Sequence, residues 1–188
     1  ISIFQYFTDS FPEQVYSKGS AILQENIHDS TLTQLIYPNG VKGHIFVSWL
    51  HPFKEQKLVV IGDKGMAVFD DSLPWEEKLK TYSHQVNWVD GQPQPQKADG
   101  VNVALPVSEP LKLECQHFID SIENNTQPRT DGAEGLRVLR VLDAAQKSLH
   151  LKKNVDLNIK PISYYSHEPT IIDRDAQIGN ATKNWHFS

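Results

Sequence analysis

Near residue 108 the chain changes its period. Before it, apolar side chains recur largely at every second position, in short runs broken by Gly, Pro, Asn and Asp. After it they recur at every third or fourth. A period of two belongs to strands and one near 3.6 to helices, and a segment written in one does not settle as the other. The order is therefore strands, then helices, then a closing strand. That order predicts an α+β fold, an open, mostly antiparallel or mixed β-sheet with helices packed on one face.

The elements follow from the residues. ISIFQYFT (1–8) puts Ile1, Phe4 and Phe7 or Tyr6 on one helical face, and DSFPE ends that helix. EQVYSKG is a short, mixed strand. STLTQLIYPNGVKGHIFVSWL reads as a hairpin turning at Asn39-Gly40, a pair that tolerates positive φ. On its second arm Val41, Gly43, Ile45, Val47 and Trp49 share one face, and Lys42, His44, Phe46 and Ser48 the other. QKLVVIGDKGMAVFD is a second hairpin, turning at Asp63-Lys64-Gly65. Residues 84–107, rich in Pro, Gly, Gln and Asn, read as a long connection with room for short edge strands.

Beyond the switch, Ser108 is the expected N-cap of a helix with Pro110 in its first turn, where a missing N–H costs little. Leu111, Cys115, Phe118, Ile119 and Ile122 form its apolar stripe, and Asn124-Asn125 is its stop. A second helix follows, with Asp131 and Glu134 at capping-box spacing and Leu136, Leu139, Leu142, Ala145 and Leu149 as the stripe to be buried. NVDLNIK (154–160) is the last strand.

Composition narrows the function classes. At 188 residues there is room for one core, or one domain with an appendage. The net charge of −5, with no dense basic run, argues against a nucleic-acid partner. The longest apolar runs, such as LVVIG, are too short to cross a membrane as a helix, so no membrane partner is expected. No signal peptide is recognised at the start, and a cytoplasmic location is the expectation. The single cysteine, Cys115, excludes an intrachain disulfide and a cysteine-cluster zinc site. Its place on an apolar helical stripe predicts a buried packing residue.

The residues alone carry little chemistry. There is no G-x-G-x-x-G, no P-loop, no G-x-S-x-G and no H-E-x-x-H. The histidines are scattered; His44 and His51 are within reach of one another across a sheet, but no metal site is expected. Asp70-Asp71 reads as a solvated turn. The densest stretch is VSWLHPFKEQK (47–57), where a tryptophan, a histidine and a lysine converge near a strand end. An aromatic plane beside a fixed cation suits a sugar ring or a phosphate. Trp49 as a core residue and Lys54 as a solvated one fit the same pattern.

The run SWLHPFKEQKLVVIGDKGMAVFDD, followed by EPLKLECQHFIDSIENNTQPRTDGAEGLRVLRVLDAAQKSL, resembles the C-terminal half of the Gfo/Idh/MocA family of NAD(P)-dependent sugar oxidoreductases. ENIHD, the GDKGM hairpin and TDGAEGLRVL add to the likeness, which covers roughly residues 1–160. The branch most resembled oxidises UDP-N-acetylglucosaminuronate at C3 in surface-polysaccharide synthesis. The resemblance implies a substrate-binding and oligomerisation domain over residues 1–162. In such proteins a Rossmann domain with the catalytic lysine comes first, and a helix with the catalytic histidine precedes sequence like ISIFQYF. By that comparison no catalytic residue falls within this chain. NAD or NADP would serve the intact parent, with none bound by this part. The implied substrate-binding residues are Asn26, Ser48, Trp49, His51 and Lys54. Arg129, Thr130 and Asp131 are weaker candidates to face the cofactor domain, with helix capping an equal role for the last two. A nucleotide sugar is the implied partner, together with further copies of the chain held through the open sheet face. A non-catalytic oligomerisation module is the alternative.

The closing residues, PTIIDRDAQIGNATKNWHFS, are similar to the opening coils of hexapeptide-repeat sugar N-acetyltransferases, which form left-handed β-helices. Residues 163–188 are accordingly expected to be a linker and the start of such a helix, in a parent that fuses an acetyltransferase to the dehydrogenase. So short a stretch is too little to bury a core of its own.

Overall fold

In the computed structural model residues 1–157 are described. In chain order they form α1 (Ser2–Thr8), β1 (Gln14–Ser20), β2 (Ser30–Ile36), β3 (Lys42–Ser48), β4 (Lys57–Gly62) and β5 (Gly65–Asp70). Then come β6 (Leu79–Tyr82), β7 (Gln85–Val89), β8 (Gln92–Gln96), β9 (Val101–Asn102), α2 (Pro110–Glu123), α3 (Gly132–Leu151) and β10 (Val155–Asp156). Every strand pairing among them is antiparallel. They divide into two units, one of residues 1–52 with those from 107 onward, the other of residues 53–106.

The first unit is built on a sheet of order β10-β1-β2-β3. Register puts Val15 opposite Leu35 and Leu35 opposite Gly43, with Ser17, Thr33 and Ile45 in the next row. One face of three strands thus converges on a core of Val15, Leu35, Tyr37, Val141 and Ala144, with Ile1, Phe4, Ile45 and Val155 packed against it. The β2–β3 hairpin turns over Tyr37–Gly40, where Gly40 N–H donates to the Tyr37 carbonyl at 3.0 Å and only Gly40 takes a left-handed φ, 83°.

Helix α3 reaches this sheet with small residues. Val141, Ala144 and Ser148 are its buried positions. The Ser17 N–H donates to Ser148 Oγ at 2.9 Å, and Ser148 Oγ donates to the Lys153 carbonyl at 2.7 Å. One hydroxyl therefore ties β1, α3 and the chain leading to β10. The leucine stripe expected to be buried turns elsewhere. Leu136, Leu139 and Leu142 remain exposed, while Ala145 joins the packing around the core. One position is about 100° around a helix, so the stripe drawn on leucines missed the face on which small side chains allow close approach. The N-cap is Asp131, whose carboxylate accepts the Glu134 N–H at 2.8 Å. The Glu134 side chain bonds Arg137.

Helix α2 departs further from expectation. Its cap position is Glu109, not Ser108, and makes no side-chain cap bond. Leu111, Phe118, Ile119 and Ile122 are exposed, and so is Cys115, which the sequence placed in a core. The only buried residue of this helix is Ser121. The stripe exists, but among the described residues no surface covers it.

The second unit holds a sheet of order β4-β5-β6-β9 and a separate ribbon, β7-β8. Asp70 is nearly buried, not solvated. Its carboxylate accepts from the Ser72 hydroxyl and N–H and pairs with Lys57 at 3.1 Å, and these bonds hold it below the usual carboxylate range. The expected long connection contains the β7–β8 hairpin and β9, which pairs with β6. The last strand is seen as Val155–Asp156 beside Gln14 and Val15. Residues 163–188, and the acetyltransferase-like segment within them, lie outside the described residues. No helix among the described residues is long and apolar enough to cross a membrane.

Candidate functional site

At one end of the first sheet a loop of residues 21–29 joins β1 to β2, and Trp49 follows β3. Asp29 organises this corner. It is 6% exposed, and its carboxylate accepts the N–H groups of Ile22 and of Leu23, the latter at 2.7 Å. Its own N–H donates to the Ser20 carbonyl, and its carbonyl accepts the Trp49 N–H, both at 2.8 Å. A buried carboxylate without partners would be costly. Here two backbone donors satisfy it, and one residue fixes the loop, the end of β1 and the start of the segment after β3.

A cavity of about 370 Å³ opens beside it. Ser30 and Thr31 line it from β2, Val47 and Ser48 from β3, and His28, Asp29 and Trp49 complete it. His28 comes close to Gly19: a Cβ at that glycine would stand 2.6 Å from the imidazole Cδ2 and 2.8 Å from the Ser30 carbonyl oxygen. Glycine at 19 thus leaves room for this wall. Trp49 is 85% exposed, so its ring is a free plane at the cavity mouth and not a core residue. The Ser48 hydroxyl accepts the Leu50 N–H at 3.1 Å, which leaves its own hydrogen to donate.

Of the residues named from sequence, the structure brings Ser48 and Trp49 together in this cavity. Asn26 sits on the same loop, at a left-handed φ of 65° that asparagine tolerates, in a turn closed by the Ile27 N–H on the Gln24 carbonyl. His51 packs its ring 5.7 Å from that of Phe46. Lys54 belongs to the second unit, where it pairs with Asp71 at 3.7 Å. The firmer partner of Asp71 is Lys78, at 2.6 Å, and mainly that bond holds the Asp71 carboxyl below the usual range. Arg129 and Thr130 are exposed, and the Arg129 N–H donates to His117 Nε2 at 3.0 Å. Asp131 caps α3, and the Glu134 N–H is the chief cause of its lowered carboxyl pKa. Sequence reading passed over His28 and Asp29, although both stand in ENIHD. The available signal was an aspartate just before a strand, with a loop whose N–H groups it can accept.

Among the described residues no group of three His, Cys, Asp or Glu is placed to hold a metal ion. The cavity instead offers an aromatic plane, a hydroxyl donor, an imidazole and backbone groups, a set suited to a polar ring compound.

Residues 1–68, the stretch that holds this cavity, match the family described as the GFO/IDH/MocA C-terminal domain. No curated protein sequence matches the chain significantly. Several solved structures share its fold. An aldose-aldose oxidoreductase from Caulobacter crescentus, complexed with glycerol, has a TM-score of 0.63 at 19% identity, over 83% of this chain and 44% of its own. The UDP-N-acetylglucosamine 3-dehydrogenase GnnA from Acidithiobacillus ferrooxidans has a TM-score of 0.63 at 15% identity, over 80% and 44%. The WlbA dehydrogenase from Bordetella pertussis, in complex with NADH and UDP-GlcNAcA, has a TM-score of 0.58 at 19% identity, over 85% and 42%. The likeness thus takes in most of this chain and less than half of each of those.

Proposed function

We propose that this chain supplies the substrate-side domain of an NAD(P)-dependent oxidoreductase acting on a nucleotide sugar of the UDP-N-acetylglucosaminuronate type, in surface-polysaccharide synthesis. The observation that carries this reading is the place of the family match. Residues 1–68 contain the whole cavity, from His28 to Trp49. Two of the structures sharing the fold are named for, or hold, UDP-linked amino sugars.

In this reading Trp49 stacks on a flat face of the ligand, the base or the less polar side of the sugar ring. Ser48 donates to a ring hydroxyl, and Asp29 acts through the backbone by holding loop and tryptophan in place. Asn26 and His51 extend the surface toward the rest of the ligand, and Lys54 remains a binding candidate from the sequence alone. A nicotinamide cofactor would accept the hydride from the sugar carbon. The sequence has no G-x-G-x-x-G, so these residues do not fit the dinucleotide, and the cofactor is assigned to the intact oxidoreductase. Arg129, Thr130 and Asp131 would border the cofactor-bearing part.

The open face of the first sheet exposes Leu32 and Phe46, which favours its use in homo-oligomer contacts. The likeness of residues 163–188 to N-acetyltransferases adds the proposal that oxidation and N-acetylation are joined in one polypeptide.

The test is calorimetric titration of the 188-residue chain with UDP-N-acetylglucosaminuronate and, separately, with NAD. Binding of the sugar nucleotide, weakened in Trp49→Ala by the about 1–3 kcal/mol of a stacked ring, supports the reading. Equal binding by Trp49→Ala, or binding of NAD alone, contradicts it.

A further inference from the structure

The β7–β8 ribbon is sorted by its period into two unlike faces. Register puts Val86 opposite Pro95 and Trp88 opposite Pro93 on one face. Gln85, Asn87 and Val89 stand opposite Gln96, Gln94 and Gln92 on the other. Every one of these residues is exposed, with Trp88 at 72%. The turn is Asp90-Gly91, at φ of 51° and 76°, the left-handed pair that a tight two-residue hairpin requires.

Such a turn fixes which backbone groups point inward. Val89 and Gln92 flank it and bond one another, so the ladder continues through Asn87 with Gln94 and Gln85 with Gln96. The groups of residues 86, 88, 93 and 95 point outward. On the β8 edge those positions are Pro93 and Pro95, which have no N–H to offer. On the β7 edge they are Val86 and Trp88, each with a donor and an acceptor. The ribbon pairs with no other strand among the described residues. β7, Gln-Val-Asn-Trp-Val, has none of the charges or prolines that blunt exposed edges. A two-stranded ribbon is marginal in water until further strands join it.

We propose that β7 pairs antiparallel with β7 of a second copy of this chain, across a two-fold axis at Asn87, to make one four-stranded sheet. The edge is self-complementary, as an interface on a two-fold axis must be. Positions 86 and 88 are symmetric about 87, so the Val86 groups meet those of Trp88 in the second copy, and the reverse. On the apolar face this sets Pro93, Trp88, and then Val86 and Pro95 of the second copy in one row. The two Asn87 residues oppose each other as a non-hydrogen-bonded pair, about 4.5 Å apart at Cα. This contact is separate from the open face of the first sheet.

The experiment uses the full chain with its exposed Cys115 replaced by serine. Asn87→Cys places thiols across the axis at a separation a disulfide spans. Val89→Cys, on the same face, places them four residues apart, about 13 Å, beyond reach. Mild oxidation is expected to give a covalent dimer on a non-reducing gel for Asn87→Cys, at least five-fold above Val89→Cys. Adding Val86→Pro removes an outward N–H and leaves the ribbon's own ladder intact, and should return the yield to the Val89→Cys level. Equal yields from the two cysteine variants would overturn the proposal. So would an Asn87→Cys yield that Val86→Pro leaves unchanged.

Discussion

Helices α2 and α3 belong to the same unit and are comparably amphipathic, yet among the described residues only one has found its surface. α3 lays Val141, Ala144 and Ser148 on the sheet, and leaves Leu136, Leu139 and Leu142 outside. α2 buries Ser121 and exposes Leu111, Phe118 and Ile122. An apolar stripe marks a helix as having something to bury; the shape of the opposing surface decides which residues do so. The β1 face, where Val15 packs with Val141 and Ala144 and the Ser17 N–H meets Ser148 Oγ, admits small side chains and a hydroxyl that can serve a backbone donor. The leucines are too long for that approach.

The comparison can be broken by matched substitutions. Val141→Asp buries an unpaired carboxylate and should cost about 3–5 kcal/mol, read as a large fall in the denaturant midpoint of the first unit. Ser148→Ala comes next. It strands the Ser17 N–H in the core and should cost about 1–3 kcal/mol, with faster amide exchange at Ser17 as the local sign.

Asp131→Ala removes the α3 cap and should cost about 1 kcal/mol. Because the folded-state pKa of Asp131 is lowered, its contribution is complete above the usual carboxylate range and fades as pH falls through the lowered value. Midpoints of wild type and Asp131→Ala, compared from pH 7 to pH 2, should therefore differ by a constant amount down to about pH 4 and then converge. Ile122→Asp on α2 is the smallest effect, within about 0.5 kcal/mol. A cost like that of Val141→Asp would mean that α2 is packed after all.

Legibility in the sequence followed locality. The hairpin at Tyr37–Gly40, the alternation of β3 and the Asp131 cap are set by residues within a few positions of one another, and each could be read. The core face of α3 could not, because it depends on β1, more than a hundred residues away. Cys115 was misplaced for the same reason. The β7–β8 ribbon is a different case. Its Asp90-Gly91 turn and its alternation of Val86, Trp88, Pro93 and Pro95 with amides stand in the sequence, but the richness in Pro and Gln suggested a long connection with room only for short edge strands. Outward-facing prolines do not interrupt a two-stranded ladder. At the cavity, Trp49 and Ser48 stood out because an aromatic at a strand end is conspicuous. Asp29 did not, since its role lies in backbone N–H groups that no side-chain pattern announces.

The most direct test of the functional account is hydrogen exchange of the chain with and without UDP-N-acetylglucosaminuronate. The account predicts slower exchange at Ile22 and Leu23, whose N–H groups rest on Asp29, and at Trp49 and Leu50, as the ligand closes over the cavity. Unchanged exchange at these four amides under saturating ligand, or protection confined to the second unit, would contradict it.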